Sequence, residues 1–491
     1  MSPLLCAPPR LETHTADDIM NSMQTIEELR SGALAGTRRL DLSCGLRTLP
    51  PEVFALADTL EVLNLSGNLL SSLPHDLARL KKLKVIFCSD NPFTRLPDVL
   101  GECEALQVVG FKACCIKDVP GAALPPALRW LILTDNAVAT LPSELGQRPA
   151  LQKLRLAGHP SRDLPPDLAG AHRLELMRLA ANQLTRLPGW VTELPSLSWL
   201  ALAGNPLGWD RPPPAPFPSV PWRQLQMVGL LGEGASGHIY KTHREGVAEP
   251  LALKLFKGAV TSDGLPEHEL AACLAAGQHP ALCTPSAELT GHPRGARGLL
   301  LPLIPASHTN LAGPPSLDSC TRDVYPMGLR IPLPTLMRLA RSVADAVCHL
   351  HRQGVMHGDL YAHNILWNPA SGDAVLSDFG AATLLPLDQH ALGRALQALE
   401  VRAFGCLLEE MAAQTEPDAS DASVLAALAN LAQSCLHPDP AQRPDMAAVC
   451  GQLQAGGGAV LSHSRIFRMK KTRNPIAMAM DSTVTSKAAK P

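Results

Sequence analysis

Along residues 38–207 the apolar positions fall into one pattern that repeats. One unit reads Leu60-Glu-Val-Leu63-Asn-Leu65-Ser-Gly-Asn68, followed by Leu73-Pro74. Leucines two positions apart predict a short strand with one buried face. The residue closing each unit recurs as Asn68, Asn91, Cys114, Asn136, His159, Asn182 and Asn205, at spacings of 22 or 23 residues. One unit cannot bury its own leucines, so registered copies predict a solenoid in which neighbours cover one another. An amide at the closing position satisfies backbone groups in the turn that follows. Residues 24–34 predict a short helix over the open N-terminal end.

The pattern resembles the leucine-rich repeat family in its 23-residue form. In that register the exposed strand positions line a concave face. It carries Phe87, Trp130, Ile132 and Trp199, with Lys153, Arg155 and Arg178 in the later repeats. An apolar stripe beside a basic one reads as a surface for a protein substrate or regulator. The other reading is that these side chains pack laterally or against a second domain.

The periodicity ends near residue 207. Residues 208–222, rich in proline, predict a semi-rigid connector. A second domain runs over 223–454. Residues 1–23 and the tail 455–491, which carries a cluster of Lys and Arg, read as disordered, and Met20 or Met23 is an alternative start.

A chain of 491 residues is too long for one ordinary domain. Its 43 Lys and Arg against 45 Asp and Glu leave no basic excess, which argues against nucleic acid as a partner. The 13 cysteines form no Cys-x-x-Cys pair and read as reduced, buried thiols. No signal-peptide core and no run of about 18 apolar residues occurs, so no membrane span is expected. Both halves then share one compartment, read as cytoplasmic, with delivery into a host cell left open.

The chemistry lies in the second domain. Gly232-Glu-Gly234-Ala-Ser-Gly237-His-Ile239 is a glycine hairpin whose backbone N–H groups can approach phosphates. A strand-like segment follows it, where a dinucleotide fold needs a helix. Lys254 is the one charge in the apolar strand Leu251-Ala252-Leu253-Lys254, and Glu269 follows on a helical pattern as its partner, with Glu267 a weaker candidate. Then come His357-Gly-Asp359-Leu-Tyr-Ala-His-Asn364-Ile-Leu366 and Ser377-Asp378-Phe379-Gly380.

These ordered motifs resemble the protein kinase family over residues 223–454. Phe404-Gly405 to Met411 and His437 to Arg443-Pro444 resemble later kinase segments. The expected fold is therefore an α/β leucine-rich-repeat solenoid followed by an α+β bilobal protein kinase domain. The resemblance implies ATP and Mg²⁺ as cofactors. Gly232, Gly234 and Gly237 would cover the phosphates, and Lys254, oriented by Glu269, would hold them. Ile239, Ala252 and Leu366 would enclose the adenine. Asn364 and Asp378 would bind Mg²⁺, and Asp359 would accept the proton of the acceptor hydroxyl. A Ser/Thr hydroxyl is the default acceptor.

Several positions depart from the family pattern. Gly358 replaces an Arg that normally senses a phosphorylated activation loop. Tyr361 stands where Ser/Thr kinases carry a Lys, and His363 where the tyrosine-kinase pattern places Arg, so a positive charge near the γ-phosphate is missing. Residues 380–400 are short and hold no Ala-Pro-Glu, which removes the usual platform for a peptide and leaves Arg443 without its usual Glu partner. These departures keep two alternatives open: a non-catalytic pseudokinase scaffold, and a small-molecule kinase, since His-Gly-Asp-Leu also resembles kinases of choline and aminoglycosides. If the repeats only recruit a partner, removing 35–207 leaves ATP binding intact.

Overall fold

The computed structural model describes residues 24–211, 217–234, 237–257, 263–415 and 421–455. The expected disordered ends and the central prolines of the connector lie outside them. The fold class is the one the sequence predicts. Helix α1 (Ile26–Ser31) starts at Thr25, whose hydroxyl accepts from Glu28 N (3.2 Å) while the Glu28 carboxylate accepts from Thr25 N (2.7 Å). Eight three-residue strands follow: β1 (Arg39–Asp41), β2 (Val62–Asn64), β3 (Val85–Phe87), β4 (Val108–Gly110), β5 (Trp130–Ile132), β6 (Lys153–Arg155), β7 (Leu176–Arg178) and β8 (Trp199–Ala201). They pair in parallel in chain order and form one sheet.

Short 3₁₀ turns such as Pro51–Leu56 and Pro166–Gly170 return the chain along the outer side. Leucines of neighbouring repeats fill the space between. The closing side chains are buried and bonded to backbone. Asn136 Nδ2 donates to Phe111 O (2.7 Å) and Leu133 O (2.8 Å), and its Oδ1 accepts from Ile116 N (3.0 Å). Burial holds His159 down at about 4, so its neutral Nδ1 accepts from Val138 N (3.2 Å) in place of an amide.

The connector does more than space the domains. Trp209 is buried in the repeat core. Strand β9 (Ser219–Pro221) pairs in parallel with β13 (Ala287–Thr290) and closes one edge of a six-stranded sheet. The rest of that sheet is β10 (Leu225–Glu233), β11 (Gly237–Arg244), β12 (Leu251–Phe256) and β14 (Gly298–Pro302), with helix α3 (Pro266–Ala276) beside it. The larger lobe is helical. It holds α4 (Leu333–Arg352), α5 (His390–Ala413) and α6 (Ala422–Cys435). Between α4 and α5 lie short strands that carry the loops of the site, among them β16 (Val355–Met356), β17 (Ile365–Trp367) and β19 (Thr383–Leu384).

The two domains share core. Met356, Leu385, Leu396 and Leu399 of the second domain belong to the apolar cluster of the repeats, and Leu176 and Trp199 of the repeats belong to that of the large lobe. Polar contacts tie the same face. Leu202 N donates to Thr383 Oγ1 (3.1 Å), Arg402 to Ser198 Oγ (2.7 Å), and Arg443 to Pro195 O (3.0 Å). Arg443 also donates to His437 O (2.8 Å) and Ala398 O (3.0 Å), so three carbonyls satisfy it.

This arrangement reverses the expectation that the repeats can be removed freely. Uncovering four core side chains costs about 1.5–3 kcal/mol each, comparable to the ~5–15 kcal/mol that holds a whole domain together. A chain lacking 35–207 is expected to lose its cooperative melting transition and its nucleotide binding together. Calorimetry and titration with an ATP analogue on the truncated and full chains check this.

Candidate active site

Strand β12 places Lys254 on the cleft side of the sheet, and α3 places Glu269 opposite. Both are buried, and Lys254 Nζ lies 2.6 Å from Glu269 Oε1. Pro266 starts α3 with the Glu267 and Glu269 carboxylates in its first turn. Glu267 points outward instead and pairs with Arg297 (2.9 Å). Lys254 Nζ also reaches Asp378 Oδ1 (3.2 Å). Burial works against the charged lysine, but the Asp378 and Glu269 carboxylates overcome it and raise its pKa.

Asp378 sits in the left-handed backbone region (φ 58°) with its side chain 46% exposed to the cleft. Gly380 N donates to its Oδ1 (3.3 Å). The Lys254 charge holds its carboxyl below the usual range. Phe379 is buried against the His357 ring (5.1 Å between centroids), and His357 Nε2 bonds Ser377 O (3.1 Å). Asn364 Nδ2 donates to Asp359 O (2.9 Å) and Oδ2 (3.0 Å). With both amide hydrogens committed, Asn364 has its Oδ1 left to offer a ligand.

The glycine hairpin joins β10 to β11. Gly232 pairs with Ile239, and Gly234 N donates to Gly237 O (2.9 Å). A Cβ on Gly237 would meet Leu255 O at 2.4 Å, whereas Gly232 and Gly234 have open space around them. Ile239 stands across from Lys254 in the β11–β12 register, Ala252 is buried on β12, and Leu366 is half-buried on β17.

The other side of Asp359 is lined by the repeats. Arg178, from β7, is 2% exposed. Its Nη2 pairs with Asp359 Oδ1, its Nη1 donates to Gly358 O (3.0 Å), and its Nε to Asp263 Oδ1 (2.7 Å). Burial alone would raise the pKa of Asp359. The Arg178 guanidinium, with His363 and His357 behind it, outweighs burial and holds the carboxyl at about 2. Trp199, from β8, stacks on Tyr361 at 4.3 Å and 8° and donates its Nε1 to Leu360 O (3.0 Å).

The concave face is therefore divided. Trp199, expected on an open partner surface, is 1% exposed because the loop holding Leu360 and Tyr361 covers it. Lys153 is also covered; its Nζ donates to Cys320 O (3.2 Å) and lies over the Trp130 ring (4.2 Å). Phe87, Trp130 and Ile132 stay half-buried.

Two of the motif departures, Gly358 and Tyr361, fall on this contact. Gly358 has φ 74°, and a Cβ there would lie 2.6 Å from Leu200 O and 2.6 Å from Ala381 O. The repeat backbone occupies the volume where the family carries an Arg side chain. Glu400, buried in α5, accepts from Gly358 N (2.8 Å) and from His351 Nε2 (2.9 Å). His363 is held by Asp323 (Nδ1···Oδ1 2.7 Å). Arg178, Glu400, Asp263 and Asp323 were not found by reading the sequence. Arg178 stood out only as one of three basic strand positions.

Comparison with known proteins agrees with the two-part chain. A model for the lipopolysaccharide kinase (Kdo/WaaP) family matches residues 311–404, and one for the leucine-rich repeat matches residues 59–80. The serine/threonine-protein kinase mos of Xenopus laevis is 31% identical over 192 residues, covering 37% of this chain and 48% of that protein. The putative cyclin-dependent kinase F-2 of Oryza sativa subsp. japonica is 31% identical over 161 residues, covering 32% and 46%. The chain thus spans about half the length of these relatives. A leucine-rich repeat protein of Leptospira interrogans, 30% identical with a TM-score of 0.35, covers 38% of this chain and 47% of that one. Leucine-rich repeats thus come first in the chain, and a region similar to kinases follows.

Two outcomes follow from the geometry. Lys254→Met leaves Glu269 and Asp378 without their shared cation and is expected to weaken ATP binding at least tenfold by calorimetric titration. Gly358→Ala puts a side chain at positive φ against two carbonyls, and a loss of at least ~2 kcal/mol in denaturant unfolding is expected.

Proposed function

We propose that the chain is an ATP-dependent kinase that transfers the γ-phosphoryl group to a hydroxyl, with a Ser/Thr side chain of a protein as acceptor. The observation that carries this reading is the convergence of Lys254, Glu269, Asp378, Asn364 and Asp359 on one cleft roofed by a glycine hairpin. The names of the relatives support phosphotransfer and favour the Ser/Thr type.

In this reading Lys254 holds the phosphates and Glu269 keeps its ammonium in place. Gly232, Gly234 and Gly237 let the hairpin backbone lie against the phosphates. Asp378 and the Asn364 amide are hard oxygen donors and fit Mg²⁺. Among the described residues no group of three His, Cys, Asp or Glu forms a metal cage, so phosphate oxygens would complete the coordination. When bound, the ion would neutralise charge on the phosphates. Asp359 takes the acceptor's proton as the new O–P bond forms. The bond from the γ-phosphorus to its bridging oxygen breaks, and ADP leaves with that electron pair. Most of the acceleration comes from positioning and charge.

A second reading has specific support. Helix α5 begins at His390, ten residues after Gly380, and the two-residue strand β19 between them is too short to cradle a peptide. Together with the lipopolysaccharide kinase match over 311–404, this favours a small hydroxyl acceptor. In the protein-kinase reading the open part of the concave face, Phe87, Trp130 and Ile132, recruits the substrate or a regulator. Among the described residues no helix is long and apolar enough to cross a membrane, and a cytoplasmic location is our reading of the chain.

Transfer from γ-labelled ATP with Mg²⁺ tests the proposal. Wild type should label itself or a generic protein, and Asp359→Asn should fall by at least a hundredfold. Label on Ser or Thr supports the protein acceptor. ATP hydrolysis or turnover with sugars but no labelled protein supports the small acceptor. ATP binding with no transfer to any acceptor means a scaffold.

A further inference from the structure

The loop lacks a lysine beside Asp359, because Tyr361 stands where Ser/Thr kinases carry one, and the nearby His363 ring is paired with Asp323. The repeats bring a cation there. Arg178 reaches Asp359 from β7, across the domain boundary, and is fixed by Asp263 ahead of α3 and by the Gly358 carbonyl. Tyr361, turned from the site, is buried in its stack on Trp199.

We propose that Arg178 is the positioning cation of the phosphotransfer centre, supplied by the repeat domain in place of the missing catalytic-loop lysine. This rests on the phosphotransfer reading above. Asp359 is held at one oxygen by Arg178 and at the other by Asn364, which fixes the plane of its carboxylate toward an incoming hydroxyl. The guanidinium adds a buried positive charge next to the point where negative charge passes from ATP to the acceptor, in a setting that screens it little. A repeat domain with this role is a constitutive part of the enzyme.

The same contact could serve as a clamp that blocks Asp359 until the repeats swing away. The observations favour the constitutive role. Gly358 packs its Cα between Leu200 O of the repeats and Ala381 O of its own domain, so the repeats form one wall of the space around this loop. The two domains also share core residues, which a reversible release would expose. Ala381, one residue after the Asp-Phe-Gly run, packs with Ala157, Ala180 and Ala201 of three repeats.

The test compares wild type, Arg178→Met, Arg178→Lys, Arg178→Ala and Asp359→Asn in the full chain. The readouts are kcat, KM for ATP, ATP-analogue affinity and melting temperature. Arg178→Met is expected to lower kcat about a hundredfold, the size of losing one preorganised charge, with ATP affinity within about threefold of wild type. Arg178→Lys should regain part of kcat, and added guanidinium should raise the activity of Arg178→Ala but not of Asp359→Asn. A variant that melts early and loses ATP binding is read through Arg178→Lys and the guanidinium rescue, which a purely structural arginine would not yield; failure of both overturns the proposal. Unchanged kcat in a folded Arg178→Met also overturns it, and a rise in kcat identifies the clamp. If wild type transfers to no acceptor while binding ATP, the phosphotransfer reading fails and the proposal falls with it.

Discussion

A guanidinium taken out of water must find acceptors in fixed places or the fold cannot tolerate it. Arg178 finds three, and all come from the kinase domain: Asp359, Asp263 and the Gly358 carbonyl. Much else in the structure follows from that requirement. The repeat sheet must deliver β7 to the catalytic loop, so the solenoid is docked along its own concave face. The catalytic loop must come close enough to be reached, so it carries no side chain at 358. The segment before α3 must approach as well, which ties Asp263 and hence the helix bearing Glu269 to the same arginine.

Around this pair the interface is closely packed. Trp199 and Tyr361 cover one side by stacking, and four alanines from both domains cover another. Small residues and backbone donors make these contacts, beside long side chains such as Arg402 and Arg443. Leu202 N bonded to Thr383 Oγ1 is an example, a strand amide of the repeats satisfied by the kinase domain. The concave face, the usual place for a partner in a solenoid, is here partly filled from within the chain. What remains open runs along its earlier repeats, past Phe87 and Ile132.

The solenoid was legible because its signal is periodic. Each strand is set by leucines two apart and each turn by a buried Asn or its substitute, and both are local. The grouping of the candidate site was legible as well, since Lys254, Asp359, Asn364 and Asp378 stand in ordered motifs and lie together in the fold. Arg178 was not. Its partner Asp359 is 181 residues away, and no local pattern separates it from Arg155, one repeat earlier. The signals that did exist were Gly358 and Tyr361, read as losses. They mark the surface where another part of the chain fits, a meaning visible only once both domains are placed. The connector misled for a similar reason: its prolines read as a spacer, while Val220 beside them enters a sheet whose partner strand lies about seventy residues on.

The central claim is that Arg178 and Asp359 form one buried, energetically coupled pair across the two domains. A double-mutant cycle on denaturant unfolding of the full chain measures this directly, with Arg178→Met, Asp359→Asn and the pair together. A coupling energy of about 2 kcal/mol or more is expected, because each single change leaves the other group buried without its partner. Additive effects, within about 0.5 kcal/mol, would contradict it.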